Sequence, residues 1–155
     1  MKRAGYIIKT GIFILSILIF SCTATTVKET DTSGSLKKGE KYNFKFICYD
    51  RDITDPGNDR RSYYRIFIDK SESGRTTTGL ESQEKIYEER LTGSRHLIVF
   101  EKWVLDEKEG RYIKLNNIDQ PKPNHKYFTI PENGILIMVV QTDKNGKAEF
   151  SEDYE

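Results

Sequence analysis

The chain has 155 residues, 32% charged and 36% hydrophobic, and its 25 Lys and Arg nearly balance 24 Asp and Glu, for a formal net charge of +1. That length suits one domain with a leader. Without the leader cations Lys2, Arg3 and Lys9, 22 basic residues stand against 24 acidic ones, a formal −2; such a balance supplies no field for nucleic acid and no polybasic tract for anionic lipid.

The opening stretch, MKRAGYIIKTGIFILSILIFSC, sets a basic front end before an apolar run from Gly11 to Phe20, broken by Ser16 and followed by Ser21-Cys22. A basic segment, a short apolar segment and a small residue before a cut are the parts of an export signal. A membrane span needs about 20 apolar residues. This run is shorter, and Lys9 just ahead of it limits it further, so a retained membrane anchor is the less favoured alternative. Leu18-Ile19-Phe20-Ser21-Cys22 resembles a bacterial lipobox of the relaxed, spirochaete type, with Leu18 one place early and a bulky Phe20. The resemblance implies cleavage before Cys22, a diacylglycerol thioether on its sulfur and an acyl chain such as palmitate on its amine. One acyl chain holds a protein marginally, whereas two or three hold it stably. The alternative is an ordinary secretory signal with an incidental cysteine. After lipidation Cys48 is the remaining thiol, so no intramolecular disulfide forms. The fold then rests on a hydrophobic core, and a domain of about 115 residues can bury roughly two-thirds of its surface.

Residues 22–41 are the lipidated cysteine and a Thr-, Ser- and Lys-rich stretch that reads as a flexible tether, on the order of 20–25 Å end to end; a first edge strand is the alternative. The predicted β-sandwich domain covers 42–155. Tyr42, Phe44, Phe46 and Cys48 alternate with Asn43, Lys45, Ile47 and Tyr49, the period of a strand with one inward face. Asp50 to Ser62 reads as a charged loop around Pro56-Gly57. Tyr64, Ile66 and Ile68 mark the next strand, Lys70 to Gly74 a turn, and Arg75 to Gly79 a short polar β-like run. The segment around 82–91 fits a short helix, with Leu80, Ile86 or Tyr87 and Leu91 on one face, or a strand with Tyr87, Glu89 and Leu91 on one face. The strand is preferred because Gly93-Ser94 then turns the chain into Arg95 to Leu105. In that run Leu97, Ile98, Val99 and Phe100 are apolar on both faces, as in a central strand.

Arg111 to Ile118 returns as a hairpin partner, and Gln120 to His125, with two prolines, reads as a surface connection. Tyr127 to Ile130 is a short strand stopped by Pro131, and Ile135 to Gln141 is another apolar strand. Asn145-Gly146 is a strong hairpin signal. Lys147 to Phe150 is the last predicted strand, before a loose acidic tail. Seven or eight short strands at this turn spacing predict an all-β fold, a small antiparallel sandwich.

Residues 64–103 resemble a PEGA-type module of bacterial envelope proteins. Ile68-Asp69 stands at that module's first turn, with Lys70 where Gly is usual. Gly74-Arg75-Thr76-Thr77 matches its second element without the proline, and Thr92-Gly93-Ser94-Arg95-His96 matches its third. The resemblance implies a small β-sandwich and no catalytic residues.

Asp50, Asp52, Asp55 and Asp59 crowd one loop, and closely spaced carboxylates can supply oxygens to calcium. Their spacing misses the EF-hand pattern, and Arg51, Arg60 and Arg61 stand among them, so a solvated loop without metal is the expected reading. Cys48 has the parity of an inward core residue rather than of an activated nucleophile. His96 and His125 lack nearby cysteine partners for zinc. No P-loop, dinucleotide fingerprint or Gly-x-Ser-x-Gly occurs, so no cofactor is expected. Trp103 with Tyr63, Tyr64 and Tyr112 could form an aromatic binding patch, although aromatics in β-proteins are commonly core or cross-strand pairs.

The resulting expectation is a non-catalytic binding or structural protein of the bacterial cell envelope. It is held in the outer membrane, at its periplasmic or surface face, through Cys22, with an envelope protein as partner and no nucleic acid. The alternatives are an accessory subunit of an envelope complex, or a hydrolase with an unrecognised site.

Overall fold

The computed structural model describes residues 41–155; the leader, Cys22 and the tether up to residue 40 lie outside the described residues. Ten strands form: β1 (Phe44–Asp50), β2 (Arg61–Ile68), β3 (Ser71–Arg75), β4 (Gly79–Leu80), β5 (Lys85–Glu89), β6 (Arg95–Asp106), β7 (Arg111–Lys114), β8 (His125–Thr129), β9 (Leu136–Thr142) and β10 (Ala148–Tyr154). They make a four-stranded sheet, β10-β9-β1-β5, and a six-stranded sheet, β3-β2-β6-β7, in which β4 also pairs with β2 and β8 with β6. The protein is an all-β sandwich. One pairing departs from the antiparallel expectation: β1 and β9 run parallel from Phe44↔Leu136 to Asp50↔Thr142.

Strict alternation builds the core. In β1 the even positions Phe44, Phe46 and Cys48 are buried, and in β9 Leu136, Met138 and Val140 are fully so. Rings from the two sheets interlock between them. Phe44 stacks on Phe128 with centroids 4.6 Å apart, and Phe46 meets Phe100 at 5.4 Å. Each such ring contributes about 1.5–3 kcal/mol by leaving water.

The first hairpin turns more tightly than its sequence suggests. Ser71 already pairs with Ile68, so β3 occupies most of the predicted turn. The turn itself is Asp69-Lys70, with φ of +50° and +72°. Positive φ at both central residues is the type I′ geometry that matches strand twist, here without glycine.

Residues 85–89 are strand, not helix. Leu80, Glu81 and Gln83, whose carbonyls a helix would use, instead accept from the Lys85 ammonium at 2.7, 3.0 and 2.8 Å. Lys85 is thereby fully buried with each of its three donors satisfied. Tertiary pairing of β5 with β1 outweighs the helix propensity of the segment.

Two further expectations are corrected. Gln120 and Pro121 are not surface residues: Gln120 is 5% exposed and bridges Lys102 N, Lys102 O and Leu115 O with its amide. The acidic tail is not loose, because β10 continues antiparallel to β9 as far as Tyr154↔Leu136.

Candidate functional site

At one end of the sandwich the interior turns ionic. On β6 the inward positions read Ile98, Phe100, Lys102, Val104, so a lysine enters the core in register with apolar neighbours. Its ammonium contacts the Asp50 carboxylate at the end of β1 and lies 2.6 Å from Glu81. Glu81 takes a forked pair from Arg60 at 3.0 and 2.9 Å. The Tyr64 hydroxyl donates to Asp50 at 3.1 Å. Burial alone would raise the Glu81 carboxyl, but the Arg60 hydrogen bond and the Lys102 charge outweigh it and hold it below the usual carboxylate range. Burial pushes the Tyr64 phenol well up, and the Asp50 charge adds to that. Burial lowers the Lys85 ammonium.

Beside this cluster opens a recess of about 590 Å3, lined by Asp50, Glu81 and Lys102 and, among others, by Ile118, Asp119 and Asp143. Lys102, Glu81, Arg60 and Asp50 all spend their charges on one another. Such a network orders the fold and offers no unengaged acid, base or nucleophile. The signal that sequence reading passed over is the parity of Lys102: a charge at an inward position between Phe100 and Val104 demands a buried partner.

The four loop aspartates are drawn to different partners. Asp50 turns inward to Lys102. Asp52, at φ +70°, pairs with Arg51 at 3.8 Å. Asp55 caps a 3-10 turn over Pro56–Asn58, accepting from Gly57 N at 2.9 Å and Asn58 Nδ2 at 2.8 Å. Asp59 accepts from Ser82 N at 3.0 Å and Ser82 Oγ at 2.5 Å. Among the described residues no group of three or more His, Cys, Asp or Glu is placed to hold a metal ion.

Cys48 is 1% exposed, its sulfur 3.7 Å from the Lys85 carbonyl oxygen. Burial pushes its thiol up, which is the reverse of nucleophile activation. His96 is held by Asp69 at 2.7 Å through Nδ1, and its buried Nε2 has no partner among the described residues. His125 is exposed.

Three of the four candidate aromatics do meet. Tyr63, Trp103 and Tyr112 share the outer face of the six-stranded sheet. Tyr63 lies parallel to Trp103 with centroids 6.1 Å apart and edge-on to Tyr112 at 5.0 Å. Guanidiniums cap this array, Arg65 at 4.4 Å from the Trp103 ring and Arg75 at 5.3 Å from Tyr63. The Trp103 indole N–H has no acceptor among the described residues. Tyr64 does not belong to this patch. One residue on from Tyr63, it points inward and packs edge-on against Phe100 at 5.9 Å. Compared with known protein families, curated proteins and solved structures, the chain finds no match in any of them.

Proposed function

We propose that this protein is a lipid-anchored component of the bacterial cell envelope whose PEGA-like sandwich acts by binding and not by catalysis. The observation that carries the reading is the contrast between its two candidate sites. The Asp50, Lys102, Glu81 and Arg60 charges beside the recess are engaged with one another, whereas Tyr63, Trp103 and Tyr112 gather on the outer face of the six-stranded sheet, Trp103 and Tyr112 half-buried and Tyr63 buried beneath its neighbours. Clustered aromatics with arginines are the composition of binding surfaces. The turn chemistry behind the PEGA resemblance is also present: Asp69 sits in a two-residue turn and its carboxylate holds His96, a residue of the third matched element. In this reading Cys22 carries the lipid, and the tether keeps the domain near the outer membrane.

Two measurements test it together. The native protein is expected in the detergent phase of Triton X-114, and Cys22→Ala in the aqueous phase or as an uncleaved precursor. In cells, a photocrosslinking residue replacing Tyr112 is expected to give adducts. The same group replacing Ser151, exposed on the opposite sheet, is expected to give none. Equal partitioning of both forms removes the anchor, and equal labelling at both positions removes the binding face. Adducts with one recurring protein would identify an accessory subunit of an envelope complex, a reading favoured by Ile118, an 81% exposed isoleucine at the recess.

A further inference from the structure

The two long sides of the sandwich are closed unequally. On one side Thr76 and Thr77 strap the sheets together: Thr76 N donates to Tyr64 O of β2 at 2.9 Å, and Thr77 N donates to Ile86 O of β5 at 2.8 Å. On the other side lie β8 and β10, each paired along one flank, β8 with β6 and β10 with β9. There the sheets are joined at Lys122, whose N–H donates to Gly146 O and whose carbonyl accepts from Ala148 N, both at 2.8 Å. Beyond that point no strand among the described residues covers the outer flank of β10. Ile135 and Glu155 exchange both of their main-chain bonds. Antiparallel pairs alternate between bonded and non-bonded, so the same register turns the N–H and C=O of Phe150 and Glu152 away from β9. Such a flank is a template for a further strand.

Charges occupy inward positions on both of these edge strands. Glu152 stands opposite Met138, and Lys126 stands opposite Ile98; Met138 and Ile98 are fully buried. The Lys126 ammonium lies 2.7 Å from Glu152 and 5.4 Å from the centre of the Phe150 ring, so it spans the gap between the sheets. Apolar side chains at the same two positions would gain more from burial. We propose that the Lys126–Glu152 pair guards the edge of β10 against strand addition by a second copy of this chain. The two side chains keep part of their water, at 32% and 23% exposure. The inward side chains of an added strand would close over them, and withdrawing charge from water is costly. The rest of β10 opposes self-pairing in the same way. Antiparallel pairing centred on Glu152 sets the two Glu152 carboxylates against each other, and pairing centred on Ser151 sets Glu149 against Asp153. Like charges directly opposite one another destabilise a sheet. The inference depends neither on the role of the aromatic array nor on a lipid at Cys22.

The full chain in dodecyl maltoside micelles is measured by light scattering, with the detergent mass subtracted, and by amide hydrogen exchange. The parent is expected as a single copy, with fast exchange at Phe150 and Glu152. Lys126→Val/Glu152→Val is expected to double in protein mass as concentration rises, with exchange at Phe150 slowed. Lys126→Thr/Glu152→Thr, which removes the charges and adds little apolar surface, carries the same expectation. Lys126→Val/Glu152→Pro also lacks both charges, but it deletes the outward N–H at position 152 and leaves the ladder with β9 intact. It is expected to remain a single copy. A valine or threonine pair that keeps its near-UV circular dichroism and stays single overturns the proposal. A proline variant that associates as fully as the valine pair overturns it, since the contact is then not the β10 edge. Association with exchange at Phe150 unchanged does the same, as does a parent already paired through a protected Phe150. Loss of the near-UV spectrum in both charge-free pairs overturns it too, because the charges then hold the fold and not the edge.

Discussion

The Lys102 ammonium lies 2.6 Å from the Glu81 carboxylate, and both side chains are almost wholly withdrawn from water, 5% and 4% exposed. A buried charge survives only with partners, and Lys102 has two, Glu81 and Asp50. Removing it leaves Asp50, whose carboxylate is 12% exposed, with the Tyr64 hydroxyl but without its ammonium partner, while Glu81 keeps Arg60. Lys102→Met should therefore cost about 3–5 kcal/mol. Glu81→Gln should cost less, because Asp50 still neutralises Lys102. Urea titration of the two variants checks the order, and a Lys102→Met protein as stable as the parent would contradict it.

Glu81 also sets a pH dependence. Its folded pKa is depressed below the unfolded value of about 4.3. It therefore contributes stability that is present above that value and lost as pH falls through the folded pKa. The denaturation midpoint of the parent should fall on acidification below about pH 4, and that of Glu81→Gln should fall less steeply. Some slope should persist in the variant, since Asp69, Asp143 and Glu149 are also held low, the first two chiefly by backbone N–H donors and Glu149 by Lys147 and Arg51. Parallel acid profiles for parent and variant would remove Glu81 as a source.

Cys48 should be nearly inert to Ellman's reagent in the native protein and react fully in denaturant, because it is 1% exposed and burial raises its thiol. Cys48→Ala should cost roughly 1 kcal/mol or somewhat more, as a small core truncation. Cys48→Ser should cost more by burying a hydroxyl in place of the sulfur. Fast native labelling, with Cys48→Ala as stable as the parent, would reopen a catalytic reading.

Lys70 holds φ +72° in the β2–β3 turn, a conformation that strains a residue with a Cβ. Lys70→Gly relieves that strain at some entropic cost in the unfolded chain. It should stabilise the protein by about 0.5–1 kcal/mol with an unchanged circular dichroism spectrum. A loss of stability would mean that the lysine side chain contributes more than its backbone costs.

Strand by strand, much of this was open to reading because alternation is a local property. Tyr64, Ile66 and Ile68, or Leu136, Met138 and Val140, declare an inward face without reference to any other part of the chain. The turn at Asp69-Lys70 falls ahead of the one composition predicts, because non-glycine residues at positive φ leave little compositional trace. The helix-forming composition of 82–91 yields to the preferred strand reading, since propensity amounts to tenths of a kcal/mol per residue. Pairing of β5 with β1 and the capture of three carbonyls by Lys85 weigh more. Of the aromatic quartet, Tyr63 and Tyr64 are adjacent, so period two already forbids them a common face.

By itself the sequence determined an all-β chain, its inward residues, the burial of Cys48 and the expectation of a lipid at Cys22, because these depend on neighbouring residues. Tertiary structure alone decided which charges meet. Lys102 and Asp50 are 52 positions apart, and Glu81 and Arg60 are 21 apart. A net charge is a sum over the chain and carries no direction, whereas the pleat of each strand and its register with its neighbours assign every charge to a side.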